Sequence, residues 1–142
     1  SKIVYAPNIS SISGIQIDAD GKHYDMQLTQ TGDEENPTFT VKINGKDIDP
    51  DRFTTFYTYL ISARAEGIYT NAVSGSPKVT VTFQYLDTSQ GELRIDLYDV
   101  GNRTAVISVN GAPKFTTRIA YLNNLLSNFD LIAQDQNIVT NY

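Results

Sequence analysis

Two stretches of this sequence share one pattern, Val41-Lys42-Ile43-Asn44-Gly45 and Ile107-Ser108-Val109-Asn110-Gly111. In each stretch, apolar and polar residues alternate up to an Asn-Gly pair, and an amphipathic segment follows. Alternation predicts a half-buried strand, and Asn-Gly predicts a tight turn because both residues tolerate positive φ. The two pairs lie 66 residues apart (111 minus 45), close to half of the 142-residue chain. We therefore interpret the chain as an internal duplication.

Each half is predicted to contain three alternating strands followed by one helix. The strands are predicted over 14–18, 23–29 and 38–43 in the first half, and over 78–86, 92–98 and 105–109 in the second. Each strand has one apolar and one polar face, which is typical of an antiparallel sheet with one wet side.

Helix signals follow both Asn-Gly pairs. Asp49 is a good N-cap residue and Pro50 suits the first helical position, so a helix is predicted from there to about residue 65, with Gly67 ending it. A second helix is predicted, with Thr116 or Thr117 as its N-cap residue. Its apolar face consists of Ile119, Leu122, Leu125, Leu126 and Phe129.

The predicted fold class is α+β: an internally duplicated strand-strand-strand-helix unit that forms a mostly antiparallel sheet of about six strands with two helices on one face. A single domain is predicted over 1–142, a length that can bury a sufficient core. Its parts are repeat half one (14–67), a linker (68–77), repeat half two (78–131) and a C-terminal tail (132–142). The pattern leaves open whether the halves share one sheet or stack as two.

Composition argues against several function classes. The formal net charge is -5 and the 11 basic residues are scattered, whereas a nucleic-acid surface needs clustered Lys and Arg. The chain has no cysteine, which excludes thiol catalysis, disulfides and thiolate metal sites. No apolar run approaches the length of a membrane span, so we expect membrane attachment only through an anchor outside this chain.

No catalytic or metal site is predicted, and no cofactor is expected. His23 is the only histidine, and it lies on the predicted wet face without a nucleophile motif. Asp47-x-Asp49-x-Asp51 resembles the start of a calcium loop, but Arg52 and Thr58 stand where that loop needs Gly and Glu. Turn and cap chemistry explains these aspartates.

The wet face of the sheet is the candidate interaction surface. Its candidate residues are His23, Asp25, Gln27, Lys42, Gln84, Arg94 and Tyr98. Thr and Gln also suit an ordinary solvated sheet face, so both interpretations stand. Tyr59, Tyr69 and Tyr121 lie off the main helical faces, where they either contact a partner or pack under loops.

The order and spacing of the predicted elements in the first half resemble those of a known family. Gly14-Ile15-Gln16-Ile17, Lys22-His23-Tyr24-Asp25-Met26 and Phe39-Thr40-Val41-Lys42-Ile43-Asn44-Gly45-Lys46 precede a helix that opens at Asp49. This pattern, repeated over 12–130, resembles bacterial envelope proteins of the domain of unknown function 4340. The resemblance implies a membrane-tethered or lipoprotein-like extracytoplasmic domain, in some members associated with ABC-transporter auxiliary proteins. It implies no catalytic residues.

The expected function is therefore that of a non-catalytic extracytoplasmic interaction domain of a bacterial envelope-anchored protein. The expected partner is another envelope protein, with an ABC-transporter component as one candidate. The alternative is a glycan- or peptide-binding module that uses the exposed sheet face.

Overall fold

The computed structural model of the chain describes residues 2–33, 35–112 and 114–140. It has the predicted α+β class, with a large antiparallel sheet and two helices. The strands are β1 (Lys2–Ile3), β2 (Ile12–Ala19), β3 (Lys22–Gln30), β4 (Phe39–Ile43), β5 (Lys46–Ile48), β6 (Arg64–Ala65), β7 (Gly67–Ile68), β8 (Val79–Tyr85), β9 (Glu92–Gly101), β10 (Thr104–Val109) and β11 (Lys114–Arg118). The helices are α1 (Pro50–Leu60) and α2 (Ile119–Ala133). Residues 141–142 of the predicted tail lie outside the described residues.

The main sheet has nine strands in the order β5-β4-β3-β2-β8-β9-β10-β11-β7, and β1 pairs separately with β6. The prediction of about six strands was wrong. The six predicted strands form the middle of the sheet, and β5, β7 and β11 extend it at its two sides. Strands β5 and β7 have only three and two residues, which is too short for alternation to be read from sequence.

The Asn-Gly pairs form hairpin turns between strands. Asn44 and Gly45 have φ of 50° and 83°, and Asn110 and Gly111 have φ of 50° and 87°. Positive φ at both central residues gives the turn that matches the twist of paired strands. The pairs therefore join β4 to β5 and β10 to β11, instead of leading directly into the helices as predicted.

Strands β2 and β8 join the two halves into one sheet. They pair antiparallel, with Ile15 opposite Phe83 and Ile17 opposite Val81. All four side chains are fully buried. The two halves therefore share one sheet, a point that the sequence pattern left open.

Both helix boundaries differ from the prediction at one end. Helix α1 begins as predicted, because the Asp49 side chain accepts from the backbone N–H groups of Asp51 and Arg52. It ends at Leu60, before the predicted end, because the chain then enters β6 and β7. Helix α2 begins at Ile119, after both predicted caps, because Thr116 and Thr117 belong to β11.

The helices pack side by side on one face of the sheet. The ring centroids of Phe56 on α1 and Phe129 on α2 are 6.0 Å apart, and Phe129 also contacts Tyr24 of β3 at 5.5 Å. Side chains from both helices and from the strands form one apolar core. Tyr59 and Tyr121 are buried and stacked at 5.5 Å. They therefore pack against each other between α1 and α2, and not under loops.

Candidate functional site

All seven candidate residues lie on the face of the sheet opposite the helices, which we call the open face. The pairing places His23 opposite Asp18, Gln27 opposite Lys42, and Gln84 opposite both Gly14 and Glu92. These positions alternate with the core residues of the same strands, so their side chains point away from the helices. The seven residues are therefore spread over β3, β4, β8 and β9.

Side-chain hydrogen bonds connect the open face across β3, β2 and β8. The Gln16 Nε2 atom donates to Asp25 Oδ1 at 2.8 Å and to Gln84 Oε1 at 3.2 Å. Gln27 Nε2 donates to the other Asp25 oxygen at 3.1 Å. These partners hold four side chains in fixed positions. We call Gln16, Asp25, Gln27 and Gln84 the amide row.

Gly14 allows the amide row to cross β2. Its backbone lies directly beneath the Gln84 side chain, and a Cβ atom at this position would approach Gln84 Oε1 to 2.7 Å and Met26 O to 3.1 Å. A larger residue would therefore displace Gln84 from its contact with Gln16. Sequence analysis did not assign this role to Gly14.

His23 is fully engaged by two neighbours on the open face. Its Nδ1 atom lies 2.8 Å from Asp18 Oδ1, and its Nε2 atom lies 2.9 Å from Gln16 Oε1. Both ring nitrogens therefore have a side-chain partner. Neither partner is a catalytic nucleophile, and the described residues form no metal-ligand group around the ring. This geometry orients the imidazole as part of the surface.

A second polar cluster lies on β8 and β9. Asp96 is buried, with only 11% of its side chain exposed. It accepts from Thr80 Oγ1 at 2.7 Å and from Arg94 Nε at 3.2 Å. Because a buried carboxylate needs such partners, Arg94 is held in place, with about half of its side chain exposed. Asp96 was missed as a site residue, although its alternation with Ile95 and Leu97 placed it on this face.

The open face is covered at its β10–β11 end. The segment after β7 contacts this end, where Lys114 Nζ donates to Asn71 O at 2.7 Å and lies 5.7 Å from the centre of the Tyr69 ring. Val106, on the same face as Lys114 and opposite Tyr98, is fully buried but lies outside the helix-side core. The exposed part of the face therefore extends from β4 to β9, with half-buried Tyr98 at its boundary.

The open face carries hydrogen-bonding and charged groups. Its candidate residues supply two amides, one imidazole, one carboxylate, one exposed ammonium, one guanidinium and one phenol. Within the described ranges, no three His, Cys, Asp or Glu residues are grouped to hold a metal ion.

In the part of the chain that the structure describes, neither helix has the length and apolar composition needed to cross a membrane. Comparisons with protein-family models, with curated proteins and with solved structures found no match to this chain.

Proposed function

We propose that this chain is a non-catalytic interaction domain that binds another protein through its open face. The observation that carries the proposal is the convergence of all seven candidate residues on the one sheet face that no helix covers. The amide row and the Asp96–Arg94 pair hold polar groups in place before a partner arrives. Binding then costs little additional side-chain entropy, which favours affinity.

Arg94 and Tyr98 are the best candidates for the strongest contacts of this surface. Arg and Tyr are enriched among the residues that contribute most to protein–protein binding. Both lie on β9. Arg94 is opposite Thr82, two residues from Gln84 of the amide row, and Asp96 fixes its guanidinium, whereas Tyr98 lies at the boundary of the exposed part of the face. Lys42 lies opposite Gln27 at the β4 side of the open face, where charge complementarity affects association more than final affinity.

For the cellular setting, we propose the extracytoplasmic side of a bacterial envelope, with an envelope protein as the partner and an ABC-transporter component as one candidate. The resemblance to the family of the domain of unknown function 4340 supports this setting. The cysteine-free composition is compatible with an oxidising compartment. Determining the N-terminus of the full-length protein tests it: an export signal or lipid anchor is expected, and a cytosolic full-length protein would contradict it.

We also propose that the chain arose by internal duplication. In both halves four antiparallel strands lead into one helix, over 12–60 and 79–133. In both Asn-Gly turns the asparagine Oδ1 accepts from a backbone N–H of a neighbouring strand: Asn44 from Asp25 at 2.8 Å, and Asn110 from Arg94 at 2.7 Å. Relatives whose halves align to each other over all five elements are expected, and relatives that keep only one half's topology would argue against it.

Site-specific photo-crosslinking in native cells tests the binding surface. A crosslinker at exposed Gln27 is expected to capture one specific protein, whereas a crosslinker at exposed Thr58 on α1 serves as the matched control on the opposite side. Comparable capture from both positions, or no specific capture at Gln27, would refute the open-face proposal.

A charge-reversal pair then measures the contribution of the surface. Lys42→Glu changes an exposed charge on the open face, and Lys46→Glu makes the same change on edge strand β5, beside the C-terminal end of α2. We expect Lys42→Glu to weaken binding of the captured protein about tenfold, mainly through slower association. Lys46→Glu is expected to leave binding nearly unchanged.

The second candidate function is a glycan- or peptide-binding module. The amide row favours it, because planar amides and a carboxylate in fixed positions match the hydroxyl groups of a sugar or the backbone of a peptide. Ligand screening by thermal shift separates the two functions. A stabilisation of several degrees that Gln16→Ala abolishes would favour the module.

A further inference from the structure

A cavity of about 390 Å³ lies at the start of α2, away from the amide row. It is open to solvent and is lined by residues of β11, of the first turn of α2 and of the segment that follows α1. Its polar lining includes Ser62, Arg64, Glu66, Thr117 and Arg118. The volume falls in the range of small-molecule sites.

The helix terminus at this cavity lacks a side-chain cap. Helix α2 has 15 residues, and its N-cap residue Arg118 makes no capping hydrogen bond. By contrast, the Asp49 carboxylate caps α1. The N-terminal turn of a helix carries a partial positive charge and attracts anions. The Ile119 N–H at this terminus donates to Arg103 O at 3.0 Å, whereas the Ala120 amide that follows in the first turn has no side-chain cap.

Thr117 supplies a hydroxyl group to the wall of this cavity. It is 4% exposed and lines the cavity, yet its hydroxyl makes no hydrogen bond with the residues that the structure describes. Among those residues, every fully enclosed side-chain nitrogen or oxygen has a partner. The Thr117 oxygen thus keeps its access to the cavity, where a ligand oxygen would complete its hydrogen bonding.

Positive side chains line the same cavity in a chain whose overall net charge is -5. Arg64 and Arg118 contribute two guanidinium groups, against one carboxylate from Glu66. Glu66 Oε2 contacts Arg118 through Nε at 3.4 Å, a long contact with an exposed side chain. An incoming anion can therefore engage the guanidinium alongside Glu66 or in its place.

We propose that this cavity binds a small oxyanion, a carboxylate or a phosphate group, through the Thr117 hydroxyl, the Arg118 guanidinium and the first turn of α2. The site does not depend on partner binding at the open face. Its position on the helix side of the sheet leaves both surfaces accessible at the same time.

Nuclear magnetic resonance titration of the whole chain tests this site. Inorganic phosphate and acetate are added separately up to about 50 mM, a range that covers millimolar dissociation constants, with sodium chloride at matched ionic strength as the control. We expect saturable shifts of the Ala120 amide and of the Arg118 side-chain signal. Saturable binding of phosphate alone would identify a phosphate site, and saturable binding of acetate alone would identify a carboxylate site. Saturable binding of both would identify a general oxyanion site.

Variants of the lining residues make the test specific. Thr117→Val is expected to weaken anion binding about tenfold. Thr117→Ser keeps the hydroxyl and is expected to retain the affinity of the parent chain. Arg118→Gln is expected to weaken anion binding by a similar factor or more. Arg103→Gln removes a nearby exposed charge that does not line the cavity, so it should have little effect. Shifts that chloride reproduces, or that Thr117→Val leaves unchanged, would overturn the proposal.

Discussion

At the scale of single residues, asparagine side chains fix the register of this sheet. Asn44 adopts φ of 50° while its Oδ1 accepts from the backbone N–H of Asp25 on β3. Asn110 makes the same contact with Arg94 on β9. Each asparagine therefore both forms its own turn and attaches that turn to a third strand.

Replacing Asn44 separates these two contributions. Asn44→Ala is expected to lose about 1–2 kcal/mol of unfolding free energy, because alanine disfavours positive φ and leaves the Asp25 N–H without its acceptor. Asn44→Gly tolerates positive φ and should lose less. Urea denaturation measures both variants. Equal stability of Asn44→Ala and the parent chain would contradict the role of this turn.

Asp130 gives the fold a pH dependence. The Tyr24 hydroxyl donates to its carboxylate, and Lys22 Nζ lies 3.1 Å from it. These contacts hold the pKa of the Asp130 carboxyl below its usual range. The ionised group therefore stabilises the fold above the unfolded-state pKa of about 4, and this stabilisation is lost as pH falls through the lower folded-state pKa.

We expect Asp130→Asn to lower the melting temperature at neutral pH and to reduce the acid-induced fall below about pH 4. Because the carboxylate is half exposed, solvent screening keeps the effect small. Asp20→Asn changes a neighbouring exposed carboxylate that does not accept from Tyr24, and it serves as the control. Identical acid profiles for the two variants would show that the Tyr24 contact has no such effect.

At the scale of elements, α2 depends on one aromatic residue. Phe129 is fully buried and contacts the rings of both Phe56 on α1 and Tyr24 on β3. Phe129→Ala is expected to cost about 3–5 kcal/mol of unfolding free energy, since a cavity forms where three elements meet. Ser127→Ala on the exposed side of the same helix is the control. A loss no larger than that of the control would contradict this packing.

The C-terminal segment is held to α2 by a buried amide. Asn128 is fully buried, and its side chain exchanges two hydrogen bonds with the Val139 backbone, at 2.9 and 3.0 Å. Asn128→Leu leaves both Val139 groups without this partner, at an expected cost of about 1–3 kcal/mol. Hydrogen exchange at the Val139 amide should accelerate more than exchange in α1. Unchanged protection at Val139 would refute this role.

At the scale of the whole molecule, stability should depend on the contact between the halves. Strands β2 and β8 pair through fully buried residues, and Phe56 and Phe129 connect the helices above them. Separate fragments 2–68 and 69–140 would each expose a long central strand and half of the core. We expect neither fragment to unfold cooperatively alone, and mixing to restore the transition by circular dichroism. Cooperative unfolding of a monomeric fragment would contradict this expectation.

Much of the candidate site was predictable because sheet faces follow the period of two. Alternation with buried Tyr24, Met26 and Leu28 was enough to place His23, Asp25 and Gln27 on the open face. The hydrogen bonds among them were not predictable, because Gln84 meets Gln16 only through pairing with a distant strand. The cavity at α2 was missed for the same reason, since its lining comes from 62–66 and 117–121.

The sequence by itself determined the α+β class, the six middle strands, the Asn-Gly turns and the start of α1. These features depend on local rules: side-chain alternation, tolerance of positive φ and capping by a neighbouring carboxylate. Only the tertiary structure decided that the halves form one sheet, that β5, β7 and β11 extend it, and that α2 begins after β11. A strand of two or three residues has almost no local signal, and its hydrogen-bonding partner, which gives it stability, lies elsewhere in the chain.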